Sequence, residues 1–109
     1  MILVEWDDNE RPRVAPGTGP PLLSDFLQTD IQDYWPGIDE IALAIEQRPG
    51  HPKEQAVSFY GNVYELKLGP EHVTVINSYD ESVPPETISF AEFVRTFEAW
   101  VAALRSHSQ

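Results

Sequence analysis

Three pairs of adjacent carboxylates are the first candidates for chemistry in this 109-residue sequence: Asp7-Asp8, Asp39-Glu40 and Asp80-Glu81. Adjacent side chains diverge on a helix or a strand, so the two members of a pair do not converge on one substrate. A glycosidase needs two carboxylates that face each other across about 5–10 Å in a cleft. The pairs therefore indicate a solvated acidic surface and not an acid–base catalytic site.

Nucleophiles and metal ligands also lack the spacing that their chemistry requires. The three histidines, His51, His72 and His107, have no partner at a metal-ligand spacing such as His-x-x-x-His, and the chain contains no cysteine. No Gly-x-Ser-x-Gly elbow is present. The Gly17-Thr18-Gly19 stretch lacks the Gly-Lys-Ser/Thr ending of a phosphate loop. We therefore predict no catalytic residue, no metal and no cofactor, and a protein that is not an enzyme.

The overall charge is strongly acidic, with 18 acidic residues against 7 basic ones, a net charge of −11 and a pI near 4.4. Nucleic-acid binding requires a basic surface, so we expect no nucleic-acid partner. The balance favours a basic protein partner, or solubility alone. No apolar run approaches the ~20 residues of a membrane span, and the stretch 1–6 lacks the basic start of a signal peptide. We expect a cytoplasmic protein without membrane contact.

Aromatic residues lie beside many of these acids, and this combination is typical of a surface that binds a basic protein. Aromatic side chains supply desolvated contact area, while carboxylates steer the encounter and fix its orientation. The most acidic region of the chain holds two aromatic residues, and a later loop holds a second acidic patch. The predicted partner-binding residues are Asp30, Asp33, Tyr34, Trp35, Asp39 and Glu40, with Asp80 and Glu81 in the second patch.

The elements that must position these residues follow from hydrophobic spacing. Pro36 at a first helical turn and the spacing of Ile38, Ile41 and Ile45 predict a helix over about 36–47. Alternation and turn residues predict a three-stranded meander over 56–77 and a short hairpin over 2–14. The stretch 78–87 is predicted to be an acidic loop, 15–21 an irregular connector and 51–54 a linker. Residues 22–27 fit either a helical turn or a short strand.

The last helix, over about 89–105, has the strongest local signals. Ser89 and Glu92 form a capping box, and Ile88 with Phe93 has the spacing of a hydrophobic staple. A broad apolar stripe follows, made of Phe90, Phe93, Val94, Phe97, Trp100, Val101 and Leu104. Together the elements predict a single α+β domain over 1–109, an antiparallel sheet of the hairpin and the meander with two main helices mainly on one face.

The order of these elements resembles the YacL family of small bacterial proteins. More broadly, it is similar to the acidic immunity proteins of bacterial polymorphic or contact-dependent toxin systems. The similarity involves the hairpin 2–14, the helix 38–47, the strands 64–68 and 73–75, and Tyr79-Asp80-Glu81-Ser82 before Ile88–Phe93. This resemblance implies a small, non-catalytic, cytosolic protein that neutralises a basic toxin by direct binding. It assigns no role to an individual residue.

Two other functions are compatible with the sequence. One is an interaction or adaptor domain, including a homodimer joined at an edge strand. The other is a small-molecule binder or enzyme with a pocket between helix 89–105 and the sheet.

Overall fold

The computed structural model describes residues 2–47 and 57–107, and it confirms the predicted α+β class. Within these residues, no helix is both long and apolar enough to cross a membrane. The predicted linker at 51–54 and the first residue of the predicted meander, Ala56, lie outside the described ranges. The elements in chain order are β1 (Val4–Trp6), β2 (Pro12–Val14), α1 (Pro21–Phe26), a π-helical turn (Leu27–Ile31), α2 (Trp35–Gln47), β3 (Val57–Tyr60), β4 (Tyr64–Leu68), β5 (His72–Asn77), β6 (Glu86–Ser89) and α3 (Phe90–His107).

The strands form two antiparallel sheets, one of β1 and β2 and one in the order β3-β4-β5-β6. The predicted hairpin and meander are both present, but they do not share a sheet. The hairpin is only three residue pairs long, and it is tied to the helical layer instead. Its Val14 N–H donates to the Gln28 side chain at 2.8 Å, and the Trp6 ring stacks on His107 of α3 at 3.6 Å.

The four-stranded sheet is buried on one face. Leu66 pairs with Phe59 on one side and with Val75 on the other, and Leu68 pairs with Val73. Because side chains alternate along a strand, these residues share a face. Tyr64, Leu66, Leu68, Val73, Val75 and Ile88 are all buried on it.

The helices supply the other half of the core. The apolar stripe of α3 is buried at Phe93, Phe97, Trp100 and Leu104, as predicted, whereas its other three members are only half-buried: Phe90, Val94 and Val101. Four further side chains come from α1 and the π-helical turn, and two from α2: Leu23, Phe26, Leu27, Ile31, Ile38 and Ile41. All of them belong to one hydrophobic cluster with the sheet. This cluster also contains the buried residues of α3, so one core is shared by the helices and the sheet.

The prediction that 78–87 is entirely loop is wrong at its end, because Glu86 and Thr87 belong to the fourth strand, β6. Ile88 lies opposite Val73 and is buried, whereas Thr87 and Ser89 are exposed. This alternation is only four residues long, and it lies between a proline pair and a helix cap. Because the local turn and cap signals dominate this stretch, the strand β6 could not be predicted from the sequence.

The cap of α3 gives a direct test of the sequence prediction. The Ser89 hydroxyl accepts a hydrogen bond from the Glu92 N–H at 3.1 Å. Ser89→Ala should therefore lower the free energy of unfolding by about 1 kcal/mol while the transition stays cooperative. Chemical denaturation would measure this loss, with Ser106→Ala in the last turn of the same helix as the matched control. Equal midpoints for the two variants would show that the cap contributes nothing.

Candidate functional site

An open groove of about 620 Å³ lies between α2 and the strand β3. We call it the α2–β3 groove. Its floor is apolar and consists of Phe26, Ile31 and Ile41, which are core residues. Its walls come from α2 on one side and from β3 with the following turn on the other. The remaining lining residues are Asp30, Tyr34, Gly37, Glu40, Ser58, Phe59, Tyr60, Gly61 and Asn62.

Two exposed tyrosines stand on opposite walls of this groove. Tyr34 is 62% exposed and Tyr60 is 77% exposed, which is unusual for large aromatic side chains. Tyr79, in the loop that follows β5, is 80% exposed. The Ser78 N–H donates to the Val63 carbonyl at 2.8 Å, so this loop begins at the end of the sheet that carries the β3–β4 turn. The exposed rings and the groove therefore share one end of the molecule.

The structure brings three of the predicted partner-binding residues together in the groove: Asp30, Tyr34 and Glu40. Glu40 is exposed on the groove wall. Asp30 is half-buried, and its carboxylate accepts hydrogen bonds from backbone amides of the fold. Its carboxylate accepts from the Val63 N–H at 3.1 and 3.2 Å and from the Tyr64 N–H at 2.8 Å. Asp30 thus holds the β3–β4 turn against the π-helical turn.

The other predicted residues lie outside the groove lining. Asp33 and Asp39 are exposed near the start of α2. Trp35 is half-buried against the core, and the Arg105 guanidinium lies 5.8 Å from its ring centroid. Most of its surface is therefore already buried within the fold, which leaves the two tyrosines as the more accessible aromatic side chains.

The second acidic patch, Asp80 and Glu81, is exposed in the loop between β5 and β6. The Asp80 carboxylate accepts from the Ser82 hydroxyl at 2.6 Å and from the Ser82 N–H at 3.0 Å. These bonds lower the pKa of Asp80. The loop therefore keeps a formal negative charge at its tip in a fixed local turn.

The sequence-based list of partner-binding residues omits all five residues on the wall formed by β3 and the following turn: Ser58, Phe59, Tyr60, Gly61 and Asn62. One signal for them is present in the sequence. Tyr60 immediately precedes Gly61-Asn62 at a turn, and a large aromatic side chain there is positioned at the end of a strand. Its place opposite α2 in the groove depends on the tertiary fold, which local sequence does not specify.

A second polar cluster links the hairpin, α1 and the sheet. The Tyr64 hydroxyl donates to Asp25 Oδ2 at 2.5 Å, and Gln28 Nε2 donates to Asp25 Oδ1 at 3.1 Å. The Gln28 side-chain oxygen in turn accepts from the Val14 N–H. Each of these hydrogen-bonding groups has a partner inside the protein, so the cluster acts as a structural connection between the hairpin, the helices and the sheet.

Tyr64 should make the folded state sensitive to alkaline pH. Burial, followed by the hydrogen bond to Asp25 and the negative charge of that residue, raises the pKa of Tyr64 from 10.0 to about 12. The unfolded chain loses this proton first, so the stability that neutral Tyr64 contributes is complete below pH 10 and is lost as the pH rises towards 12. Urea midpoints measured from pH 9 to 12 should fall less steeply for Tyr64→Phe than for the wild type. Tyr79→Phe, which alters an exposed tyrosine, should leave the slope unchanged; the same slope for all three proteins would contradict the assignment.

Within residues 2–47 and 57–107, no group of three or more His, Asp or Glu side chains is placed to hold a metal ion. His72 is exposed at the start of β5 and His107 is stacked on Trp6, while His51 lies outside the described residues.

The groove offers carboxylate, phenol and apolar surface, a combination suited to holding a cationic side chain. Comparisons with protein-family models, with curated proteins and with solved structures found no match for this chain.

Proposed function

We propose that this chain is a non-catalytic binding protein that takes a basic protein partner in the α2–β3 groove, and that the partner is a bacterial toxin neutralised by direct binding. The groove carries the proposal. It combines an apolar floor with two exposed tyrosines and the free carboxylate of Glu40. Aromatic anchors in a concave site that also bears charge are the features that dominate protein recognition.

Charge supports a basic partner over an acidic one or a second copy of the chain. The net charge is −11, and none of the described residues that line the groove is a lysine or an arginine. Asp33 and Asp39 add exposed negative charge near it. Two copies of so acidic a chain repel each other, whereas a basic domain is attracted over the Debye length of ~8–10 Å. The assignment of the partner as a toxin rests on the resemblance of the element order to acidic immunity proteins.

The first experiment captures the partner and tests its toxicity. Tagged protein would be used to recover partners from cells of the native host, and the recovered proteins would be identified by mass spectrometry. We expect a basic protein that arrests growth when it is expressed alone in a bacterial host, and whose effect is abolished when this chain is co-expressed. A recovered protein that is acidic, or that never impairs growth, would contradict the proposed function.

The kinetics of the complex would then locate the interface. Asp33→Lys with Asp39→Lys should reduce the association rate about 10-fold or more at low salt, because the two acids steer the encounter. Tyr60→Ala should instead raise the dissociation rate, because it removes an aromatic contact. Glu71→Lys with Glu98→Lys makes the same charge change at two exposed positions, one in the turn between β4 and β5 and one on α3. Equal rates for the two double variants, measured by surface plasmon resonance, would mean that the groove region is not the interface.

A further inference from the structure

Strand β3 is an edge strand whose free side borders the α2–β3 groove. Among the described residues, β3 pairs only with β4. The opposite wall of the groove is α2, with Tyr34 just before it. A sheet edge and a helix thus face each other across an open channel, and this is the geometry in which an extended peptide can add to a sheet.

The register of the sheet shows which backbone groups of β3 are available. The Gly61 N–H donates to the Tyr64 carbonyl at 2.8 Å, so Gly61 and Tyr64 form a hydrogen-bonded pair. Hydrogen-bonded and non-hydrogen-bonded pairs alternate along an antiparallel ladder. The pairs Ser58–Lys67 and Tyr60–Glu65 are therefore non-hydrogen-bonded. The N–H and C=O groups of Ser58 and Tyr60 point away from β4, towards the free side.

The sequence of β3 leaves this edge without the usual protection. Natural edge strands carry lysine, proline, inward-pointing charge or a bulge that prevents another chain from pairing with them. Strand β3 reads Val57-Ser58-Phe59-Tyr60 and contains neither a charge nor a proline. The other edge of the sheet differs, because β6 begins with Glu86 directly after Pro84-Pro85. The available edge is therefore the one beside the groove.

The side chains around the groove define the chemistry of an added strand. Residues of that strand that face the core side would meet Phe26, Ile31 and Ile41, so apolar side chains fit there. Residues that face the other way would lie beside Tyr60, whose exposed ring can hold a cation. The overall charge of −11 favours lysine or arginine at those positions. A second copy of this acidic chain would bring repulsion instead.

We infer that the basic partner inserts an extended segment, alternating apolar and basic residues, as a fifth strand beside β3 in the α2–β3 groove. This inference rests on the proposed function for the identity of the partner and specifies how that partner is recognised. Backbone hydrogen bonds to Ser58 and Tyr60 supply affinity, while the apolar floor and the tyrosine rings select the side chains.

A synthetic peptide tests the pairing directly. The probe is an eight-residue fluorescent peptide of alternating valine and arginine, with blocked ends, titrated with the protein at low salt and followed by anisotropy. N-methylation of all arginine amides blocks an antiparallel fifth strand, whereas N-methylation of all valine amides blocks a parallel one. We expect one of the two methylated peptides to bind at least 10-fold more weakly than the other. Equal weakening by both, weakening by neither, or no binding of the parent peptide would overturn the inference.

Two proline variants test the same contact on the protein. Ser58→Pro removes an N–H that points to the free side and leaves the ladder with β4 intact, so the fold should persist. Thr87→Pro is the matched control. The Phe90 N–H bond to the Glu71 carbonyl sets the alternation in β5–β6, and it points the Thr87 N–H away from β5 at the opposite edge. Ser58→Pro should weaken peptide binding at least 10-fold, and Thr87→Pro should not change it. Circular dichroism would confirm that both variants fold.

The outcomes separate this inference from the proposed function. A basic toxin that is captured and neutralised equally well by the wild type and by folded Ser58→Pro would overturn the strand addition and leave the proposed function standing. Conversely, the expected peptide pattern without any captured toxin would overturn the proposed function and leave strand addition as the property of the groove.

Discussion

Trp100→Ala should lower the free energy of unfolding by about 3–5 kcal/mol, a large share of the ~5–15 kcal/mol typical of a domain. Trp100 is fully buried and is the largest of the fully buried side chains. Its removal would leave a cavity between α3 and the rest of the core. The indole N–H also donates to the Gln32 carbonyl at 2.9 Å, so the substitution breaks a hydrogen bond as well. Urea denaturation followed by circular dichroism would measure the loss.

Trp100→Phe separates the two contributions. Phenylalanine retains much of the ring volume but cannot donate a hydrogen bond to the Gln32 carbonyl. We expect this variant to lose about 1–3 kcal/mol, the cost of a lost hydrogen bond to a partly buried carbonyl together with a small cavity. Trp6→Ala, at a half-buried ring on the hairpin, should lose less than Trp100→Ala. A loss below about 1 kcal/mol for Trp100→Ala would mean that α3 does not pack through this face.

Helix α3 could be predicted from sequence because each of its signals is local. The cap, the apolar spacing and the basic residues of the last turn all lie within the helix or directly before it, and the structure buries four of the seven residues of its apolar stripe. The same holds for α2, where the helical spacing places Ile38 and Ile41 in the core. In such elements the favourable local conformation and the favourable tertiary packing coincide.

The helical stretch from Pro21 to Ile31 could not be predicted with the same certainty, because its stabilising contacts come from distant residues. The prolines at 20 and 21 read as breakers, although proline at a first helical position loses no hydrogen bond. The Leu22 and Leu23 N–H groups donate to the Glu86 carboxylate at 3.2 and 2.9 Å. That cap lies more than 60 positions away in the chain, so no local pattern reveals it.

In the candidate site, too, the residues on α2 could be predicted from local sequence, whereas those on the opposite wall could not. Sequence identified the acidic and aromatic region around α2, and the structure places Tyr34 and Glu40 of that region in the α2–β3 groove. The opposite wall, with Tyr60, comes from a strand that reaches this region only through the tertiary fold. The structural role of Asp30 also could not be predicted from the sequence, because its carboxylate accepts hydrogen bonds from amides 33 and 34 positions further along the chain.

Asp30→Ala should cost about 3 kcal/mol, because a hydrogen bond to a charged group contributes about 1.5–3 kcal/mol and Asp30 accepts from two amides. Asp30→Asn keeps one acceptor oxygen and should lose about half as much. Asp33→Ala makes the same charge change at an exposed position three residues later and should stay within about 0.5 kcal/mol of the wild type. Thermal and urea denaturation of the three variants would rank them.

Gly61→Ala provides an independent test of the same contact and of how Asp30 affects partner binding. A Cβ at Gly61 would meet Asp30 Cβ and Cγ at 2.6 Å, closer than real contacts allow, and neither atom is the flexible end of a long side chain. We therefore expect Gly61→Ala to destabilise the fold and to do so less in the Asp30→Ala background, where only the Cβ contact remains. If Asp30 acts through the turn, both variants should weaken partner binding together with stability. Unchanged stability in Asp30→Ala with slower association would instead place this carboxylate among the residues that face the partner.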